Sequence, residues 1–241
     1  MSEDTTDRGR FTGLLGASII LALGLIIGGY LLGNGLLRAR MADRAVTVRG
    51  LAERDVTADL ATWTIAYSAQ GNDLVTVQAD TDRDTQAILN FFKNQGFSTQ
   101  EISVAGVNVN QYFDSNRGVN NVTVRQRLQL RTTDVKKAQS AFARQFDLVR
   151  RGVALEEGSG MVYSFTKLNE IKPAMIAEAT KDARAGAEQF AKDSGTSVGG
   201  IRQATQGYFS VGARDGDNAG SGAESPFQKV RVVTTIEFYL E

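Results

Sequence analysis

The segment ISVAGVNVNQYFDSNRGVNNVTVRQRLQLR, residues 102–131, decides the fold, because it predicts two neighbouring strands of an antiparallel sheet. Apolar side chains alternate along residues 102–113 and 122–131, and the polar stretch 114–121 between them is typical of a hairpin turn. In the first run the apolar positions change parity at Ala105-Gly106, where we expect a β-bulge. The segment therefore predicts a bulged hairpin within a larger sheet.

The second strand of this hairpin separates apolar from cationic side chains. Its even-numbered apolar residues share one face, and Arg125, Arg127 and Arg131 share the other. We favour an ordinary, half-solvated sheet face whose arginines pair across strands with Glu237 or Glu241. The alternative is a basic lining that contacts an anion, a lipid phosphate or a neighbouring subunit. The three arginines are therefore candidate anion or subunit contacts.

Periodicity on both sides of the hairpin alternates between strands and helices, so the predicted fold class is α+β. About three helices should pack on antiparallel strands, and they are expected near residues 72–94, 134–148 and 169–194. The remaining strands are expected at residues 45–50, 56–67, 152–165, 201–211 and 230–240.

Apolar spacing predicts which faces of these elements are buried. In the strand at residues 56–67, Trp63, Ile65 and Tyr67 share one face. The first helix should bury one apolar stripe, which consists of Leu74, Val77, Ile88, Phe91 and Phe92.

The third helix carries a stripe with several small side chains. Because small residues let elements approach closely, this stripe implies packing against a sheet or another helix. Its members are Leu168, Ile171, Met175, Ala179, Ala183, Gly186 and Phe190.

The N-terminal part of the chain contains a 24-residue run without a charge, LLGASIILALGLIIGGYLLGNGLL, at residues 14–37. A helix of this length reaches ~36 Å, enough to cross a bilayer. We therefore expect a tail at residues 1–13, a transmembrane anchor at 14–37 and one soluble domain at 44–241. A cleaved signal peptide fits less well, because its apolar region is shorter and Arg40 stands where a small residue is required.

Glycines and flanking charges add two details to the expected anchor. Gly24 and Gly28, and likewise Gly29 and Gly33, have the small-xxx-small spacing that lets membrane helices approach each other. Glycine is also common in membrane helices generally, so a contact role is one of two interpretations. Two arginines precede the run and three follow it closely. By the positive-inside rule this difference of one charge slightly favours a cytoplasmic C-terminal domain, but it leaves the orientation open.

Composition excludes several function classes. The chain has 27 Lys and Arg residues and 27 Asp and Glu residues, so it lacks the basic character expected for nucleic-acid binding. It has no cysteine and no histidine, which excludes disulfides, thiol catalysis, zinc clusters and His-based acid–base chemistry. We therefore expect no cofactor, no bound metal and no enzymatic activity.

The acidic residues predict no convincing site. In the glycine-rich loop at residues 212–226, an EF-hand counted from Asp215 fails because its fifth and twelfth positions are Ala219 and Pro226. A mobile hairpin loop is the better interpretation. The adjacent pair Glu156-Glu157 would point to opposite faces of a strand, so it is not expected to form a carboxylate pair.

Two further patterns contain side chains of types that occur in catalytic sites. Glu53, Asp55 and Asp59 could share a face if one strand ran straight through them, although a polar rim is the simpler interpretation. Ser159 lies between two glycines, but the chain has no histidine to activate it as a nucleophile. A hydrolase would require two carboxylates that converge in a pocket.

Four stretches of sequence resemble the SIMPL-domain family over about residues 44–241. The most specific is the alanine-rich helix AEATKDARAGAE at residues 177–188, which continues to Gly195. The others are VTVRG at residues 46–50, which precedes the strand with Ala58-Asp59, then YSF at 163–165 and VRVV at 230–233. Many members carry proline before the aspartate, where this chain has Ala58.

The resemblance implies a location in the bacterial envelope, with the domain outside the inner membrane. Together with the expected single-pass anchor, it favours a cytoplasmic N-terminus and a periplasmic C-terminal domain, against the one-charge preference above. It also implies assembly into rings, as in a channel-like periplasmic member, and some association with stress tolerance. It supplies no catalytic residues. We therefore expect a membrane-anchored, non-enzymatic envelope protein that self-associates as a scaffold or channel-like assembly. The alternative is a periplasmic module in which the arginines, or the loop at residues 212–226, bind an anionic small molecule or envelope polymer.

Overall fold

The computed structural model describes residues 23–35, 44–215 and 222–241. Helix α1 occupies residues 23–35, and its large apolar side chains are exposed. Residues 14–22 and 36–37 of the predicted anchor, and the predicted tail at 1–13, lie outside the described residues. Among the residues that are described, no helix combines the length and the apolar character needed to cross a bilayer.

The prediction of an α+β fold with antiparallel sheets is confirmed. The described residues form five α-helices and eight β-strands, because one of the three predicted packed helices is divided in two. After α1 the elements are β1 (Ala45–Thr57), β2 (Leu60–Gly71), α2 (Leu74–Asn94), β3 (Ile102–Asp114), β4 (Val119–Thr132), α3 (Val135–Phe142), α4 (Phe146–Arg150), β5 (Gly160–Ser164), α5 (Leu168–Ser194), β6 (Val198–Gln206), β7 (Ser210–Ala213) and β8 (Phe227–Leu240).

The strands form two four-stranded sheets. Sheet A has the order β1-β8-β6, and β7 also pairs with β8. Sheet B has the order β3-β4-β2-β5, and each of its pairings is antiparallel. The predicted hairpin is confirmed as β3–β4, and the register shifts between Val104 and Gly106, where the β-bulge was predicted.

The chain divides into two compact units. One comprises Met1–Gly50, Thr180–Gln206 and Thr234–Glu241. Its apolar core consists of Ala183, Ala187, Ile236 and Phe238, against which Val46, Val48 and Val198 pack.

The other unit comprises Leu51–Ala179 and Gly207–Val233. Its main core lies on one face of β2, where Trp63, Ile65 and Tyr67 are at most 1% exposed, as predicted. The Trp63 ring meets Phe92 edge to face, with centroids 5.2 Å apart, and the rings of Phe91 and Phe142 in the same way. Such aromatic pairs stabilise the fold by more than the burial of their apolar area alone. This aromatic cluster joins α2 and α3 to sheet B.

The small-residue stripe of α5 is present, but two of its predicted members are wrong. Met175, Ala179, Ala183, Ala187 and Ala191 are at most 2% exposed. These residues are four positions apart and therefore remain on one helix face. Gly186 and Phe190 each precede a buried alanine by one position, which turns them towards solvent. In α2, Leu74 is likewise exposed, because it lies in the first turn, whereas its other four predicted core residues are buried.

Several predicted boundaries are also wrong. The strand predicted at residues 152–165 begins only at Gly160, as β5, because residues 156–159 form a turn. β1 continues through residues 51–55, and the break comes at Ala58-Asp59, whose amides donate to Pro226 and Ser164 (2.8 and 3.1 Å). The predicted helix at 134–148 divides because the amides of residues 144 and 145 bond three residues back, to Ala141 and Phe142, which tightens the chain into a turn.

The predicted strand at residues 201–211 divides into β6 and β7. Between them the Gly207 amide donates to the Val233 carbonyl at 2.8 Å. A Cβ atom at residue 207 would lie 2.6 Å from that carbonyl oxygen, so only glycine fits this approach.

Candidate functional site

The outer face of β4 carries the predicted arginine stripe. Val122, Val124, Leu128 and Leu130 are at most 5% exposed, which confirms the predicted core face of this strand. Arg125, Arg127 and Arg131 are exposed on the opposite face.

Two of the three arginines lie in a groove on the outer face of sheet B, which we call the arginine groove. Its volume is about 780 Å³, and Arg131 lies outside it. The residues that line the groove are Ala66, Gly106, Val107, Asn108, Arg125, Gln126, Arg127, Glu156, Glu157 and Gly158.

The groove exists because Arg127 has very small neighbours. Across the sheet, Arg127 lies opposite Gly106 on β3 and Ala66 on β2. The bulge at Ala105 produces the register that brings Gly106 to this position. A Cβ atom on Gly106 would meet no atom within 4 Å, so the space beside the arginine is open.

A turn at residues 156–159 forms one wall of the groove. It is closed by the Ser159 amide, which donates to the Glu156 carbonyl (3.2 Å), and Gly158 adopts a positive φ of 93°. The turn is bonded to β2, because the Glu156 amide donates to the Ala66 carbonyl (2.8 Å). The Ser159 hydroxyl donates to that same carbonyl (3.1 Å) and accepts from the Ala66 amide (3.0 Å). Glu156 is therefore held at a fixed place in the groove.

The two arginines in the groove differ in their partners. The Glu156 carboxylate lies 3.4 Å from Nε of Arg125 and also accepts a hydrogen bond from the Ser68 hydroxyl. In the part of the chain that the structure describes, Arg127 has no ion-pair partner. The groove therefore holds one paired and one unpaired guanidinium.

The expectation that these arginines pair with Glu237 or Glu241 is wrong. β4 and β8 belong to different sheets. Glu237 forms its ion pair with Arg202 (3.3 Å), and the cross-groove partner of Arg125 is Glu156. The expectation for Glu156 and Glu157 also changes, because they lie in a turn rather than a strand and both line the groove.

The predicted pattern of Glu53, Asp55 and Asp59 does not lie along one strand, because β1 ends at Thr57. Glu53 lies near Lys229 and Arg231 (3.7 and 3.6 Å), and Asp59, beyond the end of β1, accepts hydrogen bonds from Thr166. Within residues 23–35, 44–215 and 222–241, no group of three or more acidic side chains could hold a metal ion. Asp215 bonds to Arg214, and residues 216–221 of the glycine-rich loop lie outside the described residues.

A second feature of sheet B, an open apolar edge, was not predicted from the sequence. β3 is an edge strand, and the side chains of Val104, Val107, Val109 and Phe113 are 52–62% exposed. Val107 and Val109 lie on the same face as the buried residues of β4, but α2 packs over β2 and β4 and leaves β3 uncovered. The sequence signal was the absence of any charge from Ile102 to Phe113.

The glycines of α1 are exposed to open space. Cβ atoms built on Gly24, Gly28, Gly29 and Gly33 would meet no atom within 4 Å among the described residues. Their proposed role as contacts between membrane helices stays a prediction.

Comparison with known proteins gives the family. The model of the SIMPL family, described as a protein of unknown function (DUF541), matches residues 46–238. The chain therefore belongs to the SIMPL family, as its sequence motifs indicated. No curated protein matches the chain.

Two solved structures are weakly similar. An unknown protein from Galdieria sulphuraria is 13% identical, with 74% of this chain and 83% of that chain covered and a TM-score of 0.20. A hydrolase from Listeria innocua is 12% identical, with 78% of this chain and 91% of that chain covered and a TM-score of 0.20. At such scores neither similarity supports an inference about this chain.

Proposed function

We propose that the chain is a non-enzymatic protein of the bacterial cell envelope that is anchored in the membrane and self-associates through β3. The observation that carries this proposal is the edge of β3, a strand of 13 residues that, among the described residues, pairs with β4 alone. An edge strand presents unpaired amides and carbonyls that can bond to another strand.

The composition of β3 supports strand addition. Soluble proteins usually protect an exposed edge with a lysine, a proline or an inward-facing charge. Residues 102–113 contain none of these. Val107 and Val109, which are 59% and 52% exposed, add apolar surface beside that edge. A second copy that pairs its own β3 against this strand would cover both the backbone edge and the valines.

The simplest contact of this kind is a two-fold pairing of β3 with β3, since most soluble homo-oligomers are closed and symmetric. Such a contact joins copies in pairs. A second contact, through Gly24, Gly28, Gly29 and Gly33 in the membrane helix, would join pairs into a larger closed assembly. The ring assembly implied by the family resemblance would need at least one contact that is head-to-tail rather than two-fold, because a head-to-tail contact is what closes a cyclic ring.

The anchor is proposed from the uncharged run at residues 14–37. Helix α1 supports it, because its apolar side chains, such as Leu25 and Tyr30, are about as exposed on one side as on the other. The family resemblance supports a cytoplasmic N-terminus and a periplasmic C-terminal domain.

The self-association proposal is tested with the full-length chain in detergent. We expect the wild type to form a discrete assembly whose protein mass is a multiple of 26.0 kDa by light scattering. Val107→Lys combined with Val109→Lys should reduce that mass, because two charges on the contact repel their symmetry mates. The control is Val162→Lys, which places a lysine at an exposed valine of β5, the other edge strand of sheet B.

Two results would contradict this proposal. One is a wild-type protein that is monomeric. The other is a mass that is unchanged by the β3 lysines while both variants remain folded by circular dichroism.

A second candidate function, a binding module for an anionic small molecule, is favoured by the arginine groove. The supporting observation is the unpaired guanidinium of Arg127 in a concave site of about 780 Å³. The two candidates are compatible, since the groove lies on the outer face of sheet B and the proposed contact lies at its β3 edge.

A further inference from the structure

We infer that the arginine groove binds the phosphate group of a small organic molecule, which bridges Arg125 and Arg127 and displaces the carboxylate of Glu156. This inference rests on the second candidate function, and it specifies the chemical class of the ligand. Three features of the groove carry it: the two guanidinium groups, the carboxylate of Glu156 that already pairs with Arg125, and the size of the space. A second carboxylate, that of Glu157, also lines the groove.

The two guanidinium groups are placed to share one ligand. Arg125 and Arg127 are two residues apart on one strand, so their stems leave the same face about 7 Å apart. The side chains are long enough to converge on an ion between them. Asn108 lies opposite Arg125 in the register and also lines the groove, where its amide adds a neutral donor. A tetrahedral oxyanion has enough oxygens for two bidentate arginines and one amide.

The carboxylate of Glu156 acts as an internal competitor. It lies 3.4 Å from Nε of Arg125 and is held by the turn that Ser159 bonds to Ala66. A ligand with a single carboxylate would only exchange the carboxylate of Glu156 for its own. It would be at a disadvantage, because Glu156 is attached to the site and therefore has a high effective concentration there. A phosphate group carries more charge and more acceptor oxygens, and it can engage Arg127 as well. Phosphate is therefore the group that has an advantage over Glu156.

The size of the groove indicates an organic phosphate rather than the free ion. At about 780 Å³ the space is far larger than one tetrahedral oxyanion. Ala66 and Gly106, which lie on either side of Arg127 in the register, leave its floor flat, so the remainder of the ligand has space beside the phosphate.

The test measures binding to the full-length chain in detergent by titration calorimetry at constant ionic strength. The probes are glycerol phosphate and, for comparison, acetate. Arg127→Gln should weaken the binding of glycerol phosphate by about tenfold or more, because a charge-assisted contact is lost. Arg131→Gln is the matched control, since this arginine belongs to the same strand and face but lies outside the groove. It should leave the affinity within about twofold, as expected of a surface charge outside the site.

Glu156→Gln should have the opposite effect. It removes the internal competitor and frees Arg125, so the binding of glycerol phosphate should become up to about fivefold tighter. A general loss of structure would weaken binding, so a gain separates competition from misfolding.

The outcomes are distinct. If neither probe binds to the wild type or to Glu156→Gln, both the inference and the second candidate function fail. If acetate binds as tightly as glycerol phosphate, the phosphate inference fails while an anion-binding function stands. If Arg131→Gln weakens binding as much as Arg127→Gln, the effect is general charge attraction, and the inference is overturned.

A third probe distinguishes the two sources of a phosphate group. Short-chain dihexanoyl phosphatidic acid presents the same group as a lipid headgroup. An affinity about tenfold higher than that of glycerol phosphate would identify the membrane as the source, because the added acyl chains bury apolar surface. An equal or lower affinity would identify a soluble phosphate ester. Either result supports the phosphate class.

Discussion

β3 and β5 occupy the two edges of sheet B, and β5 is covered whereas β3, beyond its bulge at Ala105, is a long and regular open edge. β5 has five residues, the 3₁₀-helix Gly222–Glu224 lies beside it, and its Tyr163 carbonyl accepts a hydrogen bond from the Gln228 side chain (3.0 Å). β3 has 13 residues, no charge between 102 and 113, and exposed valines. The difference indicates which edge is free to take a partner.

The two edge strands should differ most in how much their side chains contribute to the free energy of unfolding. Met161 on β5 is 7% exposed and belongs to the main core, whereas Val107 on β3 is 59% exposed. Met161→Ala should lower the free energy of unfolding by about 2–5 kcal/mol, because it leaves a cavity. Val107→Ala should change it by at most about 0.5 kcal/mol in the dissociated chain.

Both changes in the free energy of unfolding are to be measured by denaturant unfolding, at a protein concentration low enough that most of the chains are dissociated. Equal costs for the two substitutions would show that β3 is packed as tightly as β5, which would contradict the comparison.

The second prediction concerns the hydrogen bonds that attach the turn at residues 156–159, just before β5, to β2. Ser159→Ala removes the hydroxyl that accepts from the Ala66 amide, and Ala66 is 5% exposed. A buried amide without a partner should cost about 1–3 kcal/mol of unfolding free energy. Ser103→Ala, at an exposed serine of β3, is the control and should cost less than about 0.5 kcal/mol. Similar values for both serines would remove the structural role given to Ser159.

A smaller effect is expected in the turn that precedes β5. Gly158 has a φ of 93°, so Gly158→Ala should destabilise the chain by about 1–2 kcal/mol. Gly160 does not have a positive φ, and a Cβ there would meet no atom within 4 Å. Gly160→Ala should therefore be close to neutral in the same unfolding experiment. A Gly158→Ala variant as stable as Gly160→Ala would argue against a strained turn at the wall of the groove.

The smallest effect is expected from the ion pair across the groove. The side chains of Arg125 and Glu156 are 57% and 27% exposed, so solvent screens their attraction. Glu156→Gln should change the free energy of unfolding by less than about 1 kcal/mol, and the change should shrink at high salt. A loss above about 2 kcal/mol would mean that Glu156 is a structural residue rather than an exchangeable partner of Arg125.

Much of the buried structure could be predicted from the sequence. Strict alternation identified the core faces of β2 and β4, including Trp63 and Leu128, because a strand places every second side chain on one face. The change of parity at Ala105-Gly106 identified the bulge. The alanine stripe of α5 was identified as far as Ala183, and then a step of three residues instead of four led to the wrong face.

The candidate site could not be predicted, because it depends on neighbours that are distant in the sequence. Arg127 was identified as an outward-facing arginine, but its small neighbours Gly106 and Ala66 are set by strand register. Glu156 was assigned to a strand, and its place beside Arg125 follows from a turn whose hydrogen bonds go to β2.

The exposure of the β3 valines also could not be predicted, because it depends on where a distant helix packs. Their alternation is the pattern of a buried face, and sequence periodicity does not reveal that α2 lies over β2 and β4. Whether an apolar strand face is covered is decided by the helix that packs on its sheet.

Site-specific cross-linking tests the central claim most directly. The chain has no cysteine, so one introduced cysteine is unique. Val104, Val107, Val109 and Gln111 are each replaced by Cys in the full-length chain, with Val162→Cys on β5 as the control. A disulfide forms only where the two Cα atoms come within about 7 Å. We expect disulfide-linked pairs of chains, with a maximum yield at one β3 position near the two-fold axis and little product from Val162→Cys. Equal cross-linking at Val162, or none along β3, would contradict assembly through this edge.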